Sequence, residues 1–457
     1  MPAMTGFWDK KRLPRLLRSR RLAMTTSRIL IARSEVYVIA NLTAIKDLDD
    51  SHSYLQNLLK SVKFILIALK ENVIIVNSAK EIHGWWHPLK PYGRRECTSE
   101  RFLLNPYIGC QHSCPFCYAR TFPGYFEEWR EKGNIYVFEN FPQSVARQLD
   151  KLKIAACGYL SPVTDPFQPL EQQFHLSEQL VKVFVERNLP IEVITKGKIP
   201  QSVIELLKRQ KHSFVQVSIL TWDENLRRLL VPRGANTETL LDNLRRANEA
   251  GIYAVARLDP IFPCITDNPD DLRRLVRTVK EAGAKHIVGS VVDIPVKTRK
   301  EVFSLLARID KKLIPAYREL FQEKIGYSLH AKLDYRKKVF STLRRICDEE
   351  GLTFALCMEF ALTGREYEGK PVVEGLNKYF ASSRNCEGMD VPIYVRNGDK
   401  FEPLNCDGAC LICEKPICGI EELAEGGAWR LSDYIRWSKR LVNIPLWEGG
   451  ERNVRTG

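Results

Sequence analysis

The amino-acid sequence predicts an α/β fold built on a parallel β-sheet. From about residue 100 to residue 295, short apolar runs alternate with amphipathic helical patterns at 142–152, 173–187, 200–209, 236–250 and 268–282. The last two patterns are followed by Gly251 and Gly283, and glycine is a favourable helix stop. Because strands that alternate with helices are joined by crossover connections, this rhythm indicates either a doubly wound sheet or an incomplete barrel.

Six apolar runs give the predicted strands of this sheet. In chain order they are FLLNPYIG at 102–109, AACGYLSPV at 155–163, IEVITKG at 191–197, FVQVSIL at 214–220, YAVARLDPI at 253–261 and HIVGSVV at 286–292. In both architectures the carboxyl ends of the strands carry the functional side chains, so we expect the active site at that edge of the sheet.

Further regions lie on either side of the alternating core. We expect residues 1–33 to form a disordered basic tail and residues 34–95 to form a small mixed segment with a linker. We expect the core to span residues 96–295 and a helical, cysteine-rich domain with a second metal site to span residues 296–457. Helical patterns at 297–307, 313–323 and 335–350 and the strand-like run LTFALCMEF at 352–360 belong to this last region.

The net charge of the chain is +14, and its distribution weakens a nucleic-acid interpretation. Residues 1–33 hold nine Lys or Arg against Asp9, so +8 of the charge lies in the tail and +6 in the rest. Such a tail could contact phosphates, be a solvated arm, or be a translated stretch upstream of a start at Met24. We expect no membrane span, since the best apolar run, FILIAL at 64–69, is far too short.

Three cysteines lie within eight residues directly after the first predicted strand. Residues 105–120 read NPYIGCQHSCPFCYAR, which spaces Cys110, Cys114 and Cys117 as C-x3-C-x2-C. A structural zinc site has four closed ligands and an electron-transfer [4Fe–4S] cluster has four cysteines. His112 inside the loop is poorly placed as a fourth ligand. Three thiols therefore indicate a cluster with one iron open to another ligand, with a zinc or redox site as the alternative.

The motif, with Phe116 before its last cysteine, resembles the signature of the radical SAM superfamily. The flanking sequences SPVTDPFQPLE at 161–171 and VITKG at 193–197 resemble the branch related to spore photoproduct lyases. The resemblance covers roughly residues 100–295 and implies a partial (β/α)6 TIM-like barrel with a [4Fe–4S] cluster on the three cysteines. It also implies that S-adenosylmethionine binds the open iron and is cleaved on one-electron reduction to methionine and a 5′-deoxyadenosyl radical.

The resemblance further implies contacts to S-adenosylmethionine from side chains at the strand ends: Thr164, Asp165, Lys196, Ser218 and Arg257. A short polar pair at 164–165 suits the ammonium group, a lysine suits the methionine carboxylate, and Ser218 suits a ribose hydroxyl. Arg257 suits a carboxylate or the substrate. The alternative for each position is ordinary polarity at the mouth of a barrel.

The hydrogen-atom donor is a point of departure from the resemblance. Spore photoproduct lyases carry a donating cysteine three residues before the aspartate of their second-strand motif, and Pro162 occupies that position here. Proline cannot donate, so photoproduct repair itself is not carried over. Cys264 lies after the fifth predicted strand and is the candidate donor, with structural burial as the alternative.

A second cysteine group lies in NCDGACLICEKPICG at 405–419, where the spacing is C-x3-C-x2-C-x4-C: Cys406, Cys410, Cys413 and Cys418. Four thiols this close indicate a metal site in a reducing environment. We favour an auxiliary [4Fe–4S] cluster, with zinc as the alternative, and Cys386 could substitute as a ligand. Fully ligated iron would serve structure or electron transfer.

The sequence therefore predicts a radical SAM enzyme of unidentified substrate, either a lyase or another radical-based modification. The alternatives are a nucleic-acid repair or modification enzyme of the same chemistry and a non-enzymatic cysteine-rich metal protein. We expect a cytoplasmic location, because thiolate clusters oxidise readily, and reduced ferredoxin or flavodoxin as electron donor.

Overall fold

The computed structural model describes residues 28–33, 36–41, 72–77, 80–84, 101–425 and 429–440. The chain divides into two units, Met1–Lys70 and Glu71–Gly457. In the first unit, strands β1 (Arg28–Arg33) and β2 (Val36–Asn41) pair antiparallel. Residues 1–27 of the predicted tail lie outside the described residues, whereas β1 falls within the tail's predicted range.

The strands of the second unit begin with β3 (Val73–Ile75), β4 (Arg101–Leu104), β5 (Tyr107–Ile108), β6 (Ile135–Val137), β7 (Ile154–Ala155), β8 (Cys157–Leu160), β9 (Ile191–Thr195), β10 (Phe214–Ser218), β11 (Tyr253–Ile261) and β12 (His286–Val291). They continue with β13 (Ile294–Pro295), β14 (Glu323–Ile325), β15 (Ser328–His330), β16 (Thr353–Leu356), β17 (Phe360–Tyr367), β18 (Lys370–Gly375), β19 (Tyr394–Asn397) and β20 (Lys400–Pro403).

The α-helices that precede β12 are α1 (Tyr125–Lys132), α2 (Phe141–Leu149), α3 (Glu171–Phe174), α4 (Leu176–Glu186), α5 (Gln201–Leu207), α6 (Glu224–Leu230), α7 (Thr237–Glu249) and α8 (Pro269–Glu281). Those after it are α9 (Arg299–Ile309), α10 (Leu313–Leu320), α11 (Leu333–Glu349), α12 (Asn377–Phe380), α13 (Glu422–Glu425) and α14 (Leu431–Ser438).

The central sheet is an open, all-parallel sheet of seven strands in the order β16-β12-β11-β10-β9-β8-β4. Six of these strands follow one another in the chain with helices between them, which confirms the predicted α/β alternation and the incomplete barrel. The seventh, β16, extends the predicted six-strand arrangement and comes from the region that we assigned to the C-terminal extension. The first part of the run LTFALCMEF, Thr353–Leu356, therefore supplies an edge strand of the core.

The first predicted strand is shorter than its apolar run. It ends at Leu104, and Tyr107–Ile108 form a separate strand that pairs antiparallel with β6. Pro106 lies at the break and has no N–H group to continue a ladder. The helical pattern at 173–187 is also divided, because His175 adopts a left-handed conformation with φ 51° between α3 and α4. These breaks turn the chain at the carboxyl edge of the sheet.

The two faces of the sheet have different surroundings. One face packs its apolar side chains, such as Val193, Val215 and Ala256, into the large core that the helices cover. The other face is concave and holds a smaller cluster that includes Cys157, Phe214, Val255, Val288 and Val391. Since Val391 comes from the C-terminal region, that region closes the amino-terminal end of the concave face.

The predicted absence of a membrane span concerns the whole chain. Across the residues that the structure describes, every helix is too short or too polar to traverse a lipid bilayer.

Candidate functional site

The first cysteine loop lies at the carboxyl edge of the sheet. It follows β4 and β5 and reaches the short 3-10 helix Tyr118–Thr121. Gly109 begins the loop with φ +92°, and a Cβ there would lie 3.0 Å from the Trp129 ring and 3.1 Å from Ile135. A larger residue would therefore push the loop away from α1, because L-residues disfavour this φ and the neighbouring ring leaves no space.

The three cysteines of the loop lie close together in a buried turn. Cys110 and Cys114 are buried and Cys117 is half-buried, and the Cys117 N–H donates to the Cys114 carbonyl at 3.2 Å. Burial raises the pKa of all three thiols, to about 12 for Cys114. Cys114 and Cys117 add to the rise at Cys110, and Cys117 adds to the rise at Cys114. Buried thiolates need a positive centre beside them, so this donor set fits a metal cluster better than three free thiols.

Asp165 fastens this loop to the ends of two strands. Its Oδ1 accepts from Phe167 N–H at 2.9 Å and Thr195 Oγ1–H at 2.7 Å, and its Oδ2 accepts from Lys196 N–H at 2.7 Å. His112 Nδ1 lies 3.3 Å from Oδ2. Burial alone would raise the pKa of Asp165, but His112 and these hydrogen bonds lower it. The carboxylate therefore stays charged, and His112 faces it rather than completing a metal site.

Two hydroxyl groups beside Asp165 have no partner among the described residues. They are Ser161 Oγ and Thr164 Oγ1, both inaccessible to solvent, and Ser161 as a residue is only 2% exposed. Buried hydroxyls normally form hydrogen bonds, so two orphans in one loop at the carboxyl edge indicate space for a polar ligand. Thr164 is a predicted contact, whereas Ser161 was not singled out from the sequence.

Lys196 and Ser218 are brought together, since both line one small cavity with Leu220 and Arg227. The charge of Lys196 also lowers the pKa of Cys114 and of Asp259, although burial acts in the opposite direction on both groups. Lys196 therefore lies near both the cysteine loop and Asp259.

The Arg257 side chain projects from the concave face of the sheet. Its Nη1 donates to Gln216 Oε1 at 2.7 Å and its Nη2 pairs with Asp259, whose other oxygen accepts from Ser290. Asp293 lies close enough for the negative charge of Asp259 to add to burial in raising the pKa of Asp293. Arg257 and Asp259 thus form a fixed ion pair, and the Asp293 carboxylate lies near Asp259.

A buried polar chain continues from this pair toward the amino-terminal end of the sheet. Gln216 Nε2 donates to Glu192 Oε1 at 2.6 Å, and Glu192 Oε2 lies 3.4 Å from Arg101 Nε. Arg101 Nη2 then donates to Glu387 Oε2 at 2.7 Å. This chain ties the C-terminal region to the barrel interior.

The candidate hydrogen donor, Cys264, is exposed and has φ +62°. Although the residue is exposed, partial burial of its thiol and the charge of the neighbouring Asp267 raise the thiol's pKa, and Tyr335 lies beside it. Cys357 follows β16 and is half-buried. Its thiol lies close enough to Arg257 to help raise the pKa of that guanidinium. The structure therefore offers a second thiol at the carboxyl edge that sequence inspection did not single out.

The four cysteines of the second group line one cavity of about 490 Å³: Cys406, Cys410, Cys413 and Cys418. The turn is held by Cys413 N–H donating to the Cys410 carbonyl at 3.1 Å and by Ile393 N–H donating to Cys406 Sγ at 3.4 Å. Burial raises the pKa of Cys406 and Cys418, and Cys413 adds to the rise. This donor set also fits a thiolate-bound metal.

The second cavity lies at the opposite end of the sheet from the first loop. β19, in the same region, pairs with β7, which directly precedes the amino end of β8. Cys386 does not line the cavity; its carbonyl lies 3.2 Å from His286 Nε2. Nor does any set of three His, Cys, Asp or Glu side chains, in the described ranges, meet the geometry of a single-ion site. Thiolates of a [4Fe–4S] cluster each bind a different iron and need no such convergence.

The buried polar chain left one trace in the sequence, namely charged and amide side chains inside otherwise apolar runs. Glu192 in IEVITKG and Gln216 in FVQVSIL each interrupt a buried strand. Such residues are almost never fully buried without a partner. The partners could not be assigned, because they come from other strands.

The family follows from comparison with known proteins. Residues 104–279 match the family model described as the radical SAM superfamily. Over 404 residues the chain is 30% identical to the radical SAM Nalpha-GlyT isomerase of Pseudomonas phage M6. The matched region is 83% of this chain and 81% of that protein. The chain belongs to the radical SAM superfamily. Membership makes it an enzyme and implies a [4Fe–4S] cluster and S-adenosylmethionine as cofactors.

Two further comparisons show lower sequence identity to this chain. An uncharacterised protein of Methanocaldococcus jannaschii is 28% identical over 178 residues, which is 39% of this chain and 67% of that protein. A spore photoproduct lyase structure with bound AdoMet and dinucleoside spore photoproduct is 14% identical to this chain and superposes with a TM-score of 0.45. The superposition covers 61% of this chain and 79% of the lyase chain.

Proposed function

We propose that Cys110, Cys114 and Cys117 of this radical SAM enzyme hold the [4Fe–4S] cluster and that S-adenosylmethionine binds its open iron. When bound, the cluster supplies one-electron cleavage of S-adenosylmethionine to a radical that abstracts a hydrogen atom from the substrate. The observation that carries the proposal is the buried three-thiol turn at the carboxyl edge, with the orphan hydroxyls of Ser161 and Thr164 beside it.

The side chains around the turn divide the work of binding. Thr164 and Ser161 offer hydroxyls to the ammonium and carboxylate groups, Lys196 pairs with the carboxylate, and Ser218 meets the ribose. Asp165 takes a positioning role, because its two oxygens are engaged by backbone N–H groups, Thr195 and His112. Arg257 belongs to the substrate side, because Gln216 and Asp259 already hold its guanidinium in the concave face.

Equilibrium binding of S-adenosylmethionine to the anaerobically reconstituted enzyme tests this assignment. We expect Cys114→Ala to lose the iron of the first cluster and to lose S-adenosylmethionine binding. Cys347→Ala is the matched control, since Cys347 is a buried cysteine on α11, and it should retain both. Equal S-adenosylmethionine binding by the wild type and Cys114→Ala would refute the cluster assignment.

We propose that Cys406, Cys410, Cys413 and Cys418 hold an auxiliary [4Fe–4S] cluster, with zinc as the alternative. The shared cavity supports a common metal centre, and its place at the amino-terminal end of the sheet supports a structural or electron-transfer role. Iron analysis of the reconstituted wild type should give about eight irons per chain, since each cubane contributes four. About four irons with one zinc would make the second site a zinc site.

The relative from Pseudomonas phage M6 supports an isomerase as the reaction class. We propose that hydrogen abstraction is followed by rearrangement of the substrate without change of mass, with Nα-GlyT as the first compound to test. Conversion of Nα-GlyT to an isomer by the wild type, and not by Cys114→Ala, is the expected result. A product of different mass would instead favour a lyase.

A nucleic-acid substrate remains a candidate of the same chemistry, supported by the basic composition of residues 1–33. A reduced ferredoxin or flavodoxin is the proposed electron donor, and a reducing compartment such as the cytoplasm is the proposed location.

A further inference from the structure

A surface cleft of about 410 Å³ lies directly against the first cysteine loop. Pro115, which is between Cys114 and Cys117, forms one wall. Lys300, Ser304, Leu305 and Arg308 on α9 form the other wall, together with Glu301. The cleft therefore brings solvent, and any macromolecule that fills it, to within one residue of a proposed cluster ligand.

The surface continues from the cleft over two short turns. The 3-10 helix Tyr118–Thr121 lies beside the 3-10 turn Val296–Thr298, and Lys297 Nζ donates to the Thr121 carbonyl at 3.4 Å. Tyr118 is 43% exposed and Val296 is 51% exposed. Two large apolar side chains thus stand in the open beside half-buried Cys117. We define the docking face as Pro115, Tyr118, Val296, Lys297, Lys300 and Arg308.

The charge of the docking face is positive. Lys297, Lys300 and Arg308 are all exposed, against the single negative charge of Glu301. Within the part of the chain that the structure describes, neither Lys300 nor Arg308 forms an ion pair. An apolar centre with a charged rim is the usual anatomy of a transient protein interface, and unpaired rim charges select a partner of opposite sign.

We infer that the docking face receives an acidic one-electron carrier protein, which reduces the proposed cluster on Cys110, Cys114 and Cys117. The inference rests on the proposed function and deepens it by naming the entry side for the electron. One electron leaves the carrier's reduced flavin or iron–sulfur centre, which is thereby oxidised by one electron, and the [4Fe–4S]2+ cluster becomes [4Fe–4S]+. Cys117 is the least buried of the three proposed ligands, so the electron enters on its side.

The test reverses the charge of the face in Lys300→Glu/Arg308→Glu. The matched control is Lys151→Glu/Lys153→Glu, which changes the net charge equally at two exposed lysines before β7, at the amino-terminal end of the sheet. The primary measurement is the affinity of the holoenzyme for oxidised flavodoxin at low ionic strength. We expect the dissociation constant to rise about tenfold or more for the first variant, and to rise less when salt screens the charges. We expect little change for the control.

A second measurement separates docking from chemistry. 5′-Deoxyadenosine is quantified with dithionite and, separately, with flavodoxin reduced by its reductase. Lys300→Glu/Arg308→Glu should match the wild type with dithionite and fall about tenfold with flavodoxin.

The docking inference is overturned if flavodoxin binds both variants equally, or if duplex DNA rather than flavodoxin loses affinity on charge reversal. No 5′-deoxyadenosine from the wild type with dithionite would instead overturn the proposed function, whatever the binding data show.

Discussion

Asp165→Asn is the substitution that tests most sharply how the cysteine loop is held. The carboxylate is buried and joins three parts of the site through its two oxygens: the loop at His112, the turn at Phe167, and the end of β9 at Thr195 and Lys196. Asparagine has the same shape but only one oxygen, so it removes one acceptor and the negative charge without opening a cavity.

The cost follows from the groups that lose their partner. With the amide NH2 at the Oδ2 position, Lys196 N–H faces a donor and becomes a buried, unsatisfied N–H, and the charged contact to His112 is lost. Flipping the amide instead strands Phe167 N–H and Thr195. An unsatisfied buried group costs roughly 2 kcal/mol, and losing the negative charge opposite His112 adds to this, so the free energy of unfolding should fall by about 2 kcal/mol or more.

Urea unfolding of the reconstituted enzyme under anaerobic conditions measures this loss, with iron content as a second readout. Asp223→Asn is the matched control: its exposed carboxylate caps α6 by accepting from Asn225 N–H and Leu226 N–H, and asparagine caps equally well. A loss at Asp165→Asn that does not exceed the control by about 1 kcal/mol would show that the carboxylate does not hold the loop.

Three other substitutions have defined outcomes. Gly408→Ala places a Cβ 1.8 Å from the Val391 carbonyl oxygen, so metal analysis should show loss of metal from the second site and retention of the first. His286→Gln should weaken the pH dependence of unfolding. Burial, with help from the charge of Arg257, lowers the pKa of His286 to about 4 in the folded protein. Above about pH 6.5 the imidazole is neutral in both states and costs no stability. As the pH falls toward 4 the unfolded state takes up the proton first, so the free energy of unfolding should fall by about 3 kcal/mol in urea titrations. Asn268→Ala removes the cap of α8 and should cost about 1 kcal/mol in the same assay.

Matched controls separate these effects from unrelated strain. Gly398 also has positive φ, at +60°, but a Cβ added there would meet nothing within 4 Å, so Gly398→Ala should keep the second metal. Loss of the second metal in both glycine variants, or an unchanged pH dependence of unfolding in His286→Gln, would contradict the reasoning.

Local sequence was sufficient for most of the core. The run FVQVSIL at 214–220 contains β10, IEVITKG at 191–197 contains β9, and the pattern at 236–250 contains α7, which ends before Gly251 at φ +73°. These elements follow from apolar periodicity and helix stops, which depend on neighbouring residues.

Long-range pairing was not accessible in the same way. β16 joins the sheet beside β12 across a helical region, and no periodic signal marks that partnership. The placement of the second cysteine group at the amino-terminal end depends on β19 pairing with β7, more than 200 residues away. The buried contact between Arg101 and Glu387 likewise joins residues 286 positions apart.

The site was partly predictable for the same reason. The three cysteines of the first loop are neighbours in sequence, so their spacing alone indicated a shared metal centre. The engagement of Asp165 with His112, Thr195 and Lys196 became visible only in three dimensions, and it is the basis of the positioning role that we propose for Asp165.

Formation of 5′-deoxyadenosine tests the central claim most directly. The reconstituted enzyme is reduced with dithionite in the presence of S-adenosylmethionine, and 5′-deoxyadenosine and methionine are quantified for the wild type, Cys114→Ala and Cys347→Ala. We predict both products from the wild type and Cys347→Ala and neither from Cys114→Ala. No 5′-deoxyadenosine from the wild type despite a reduced cluster, or equal amounts from Cys114→Ala, would contradict the account.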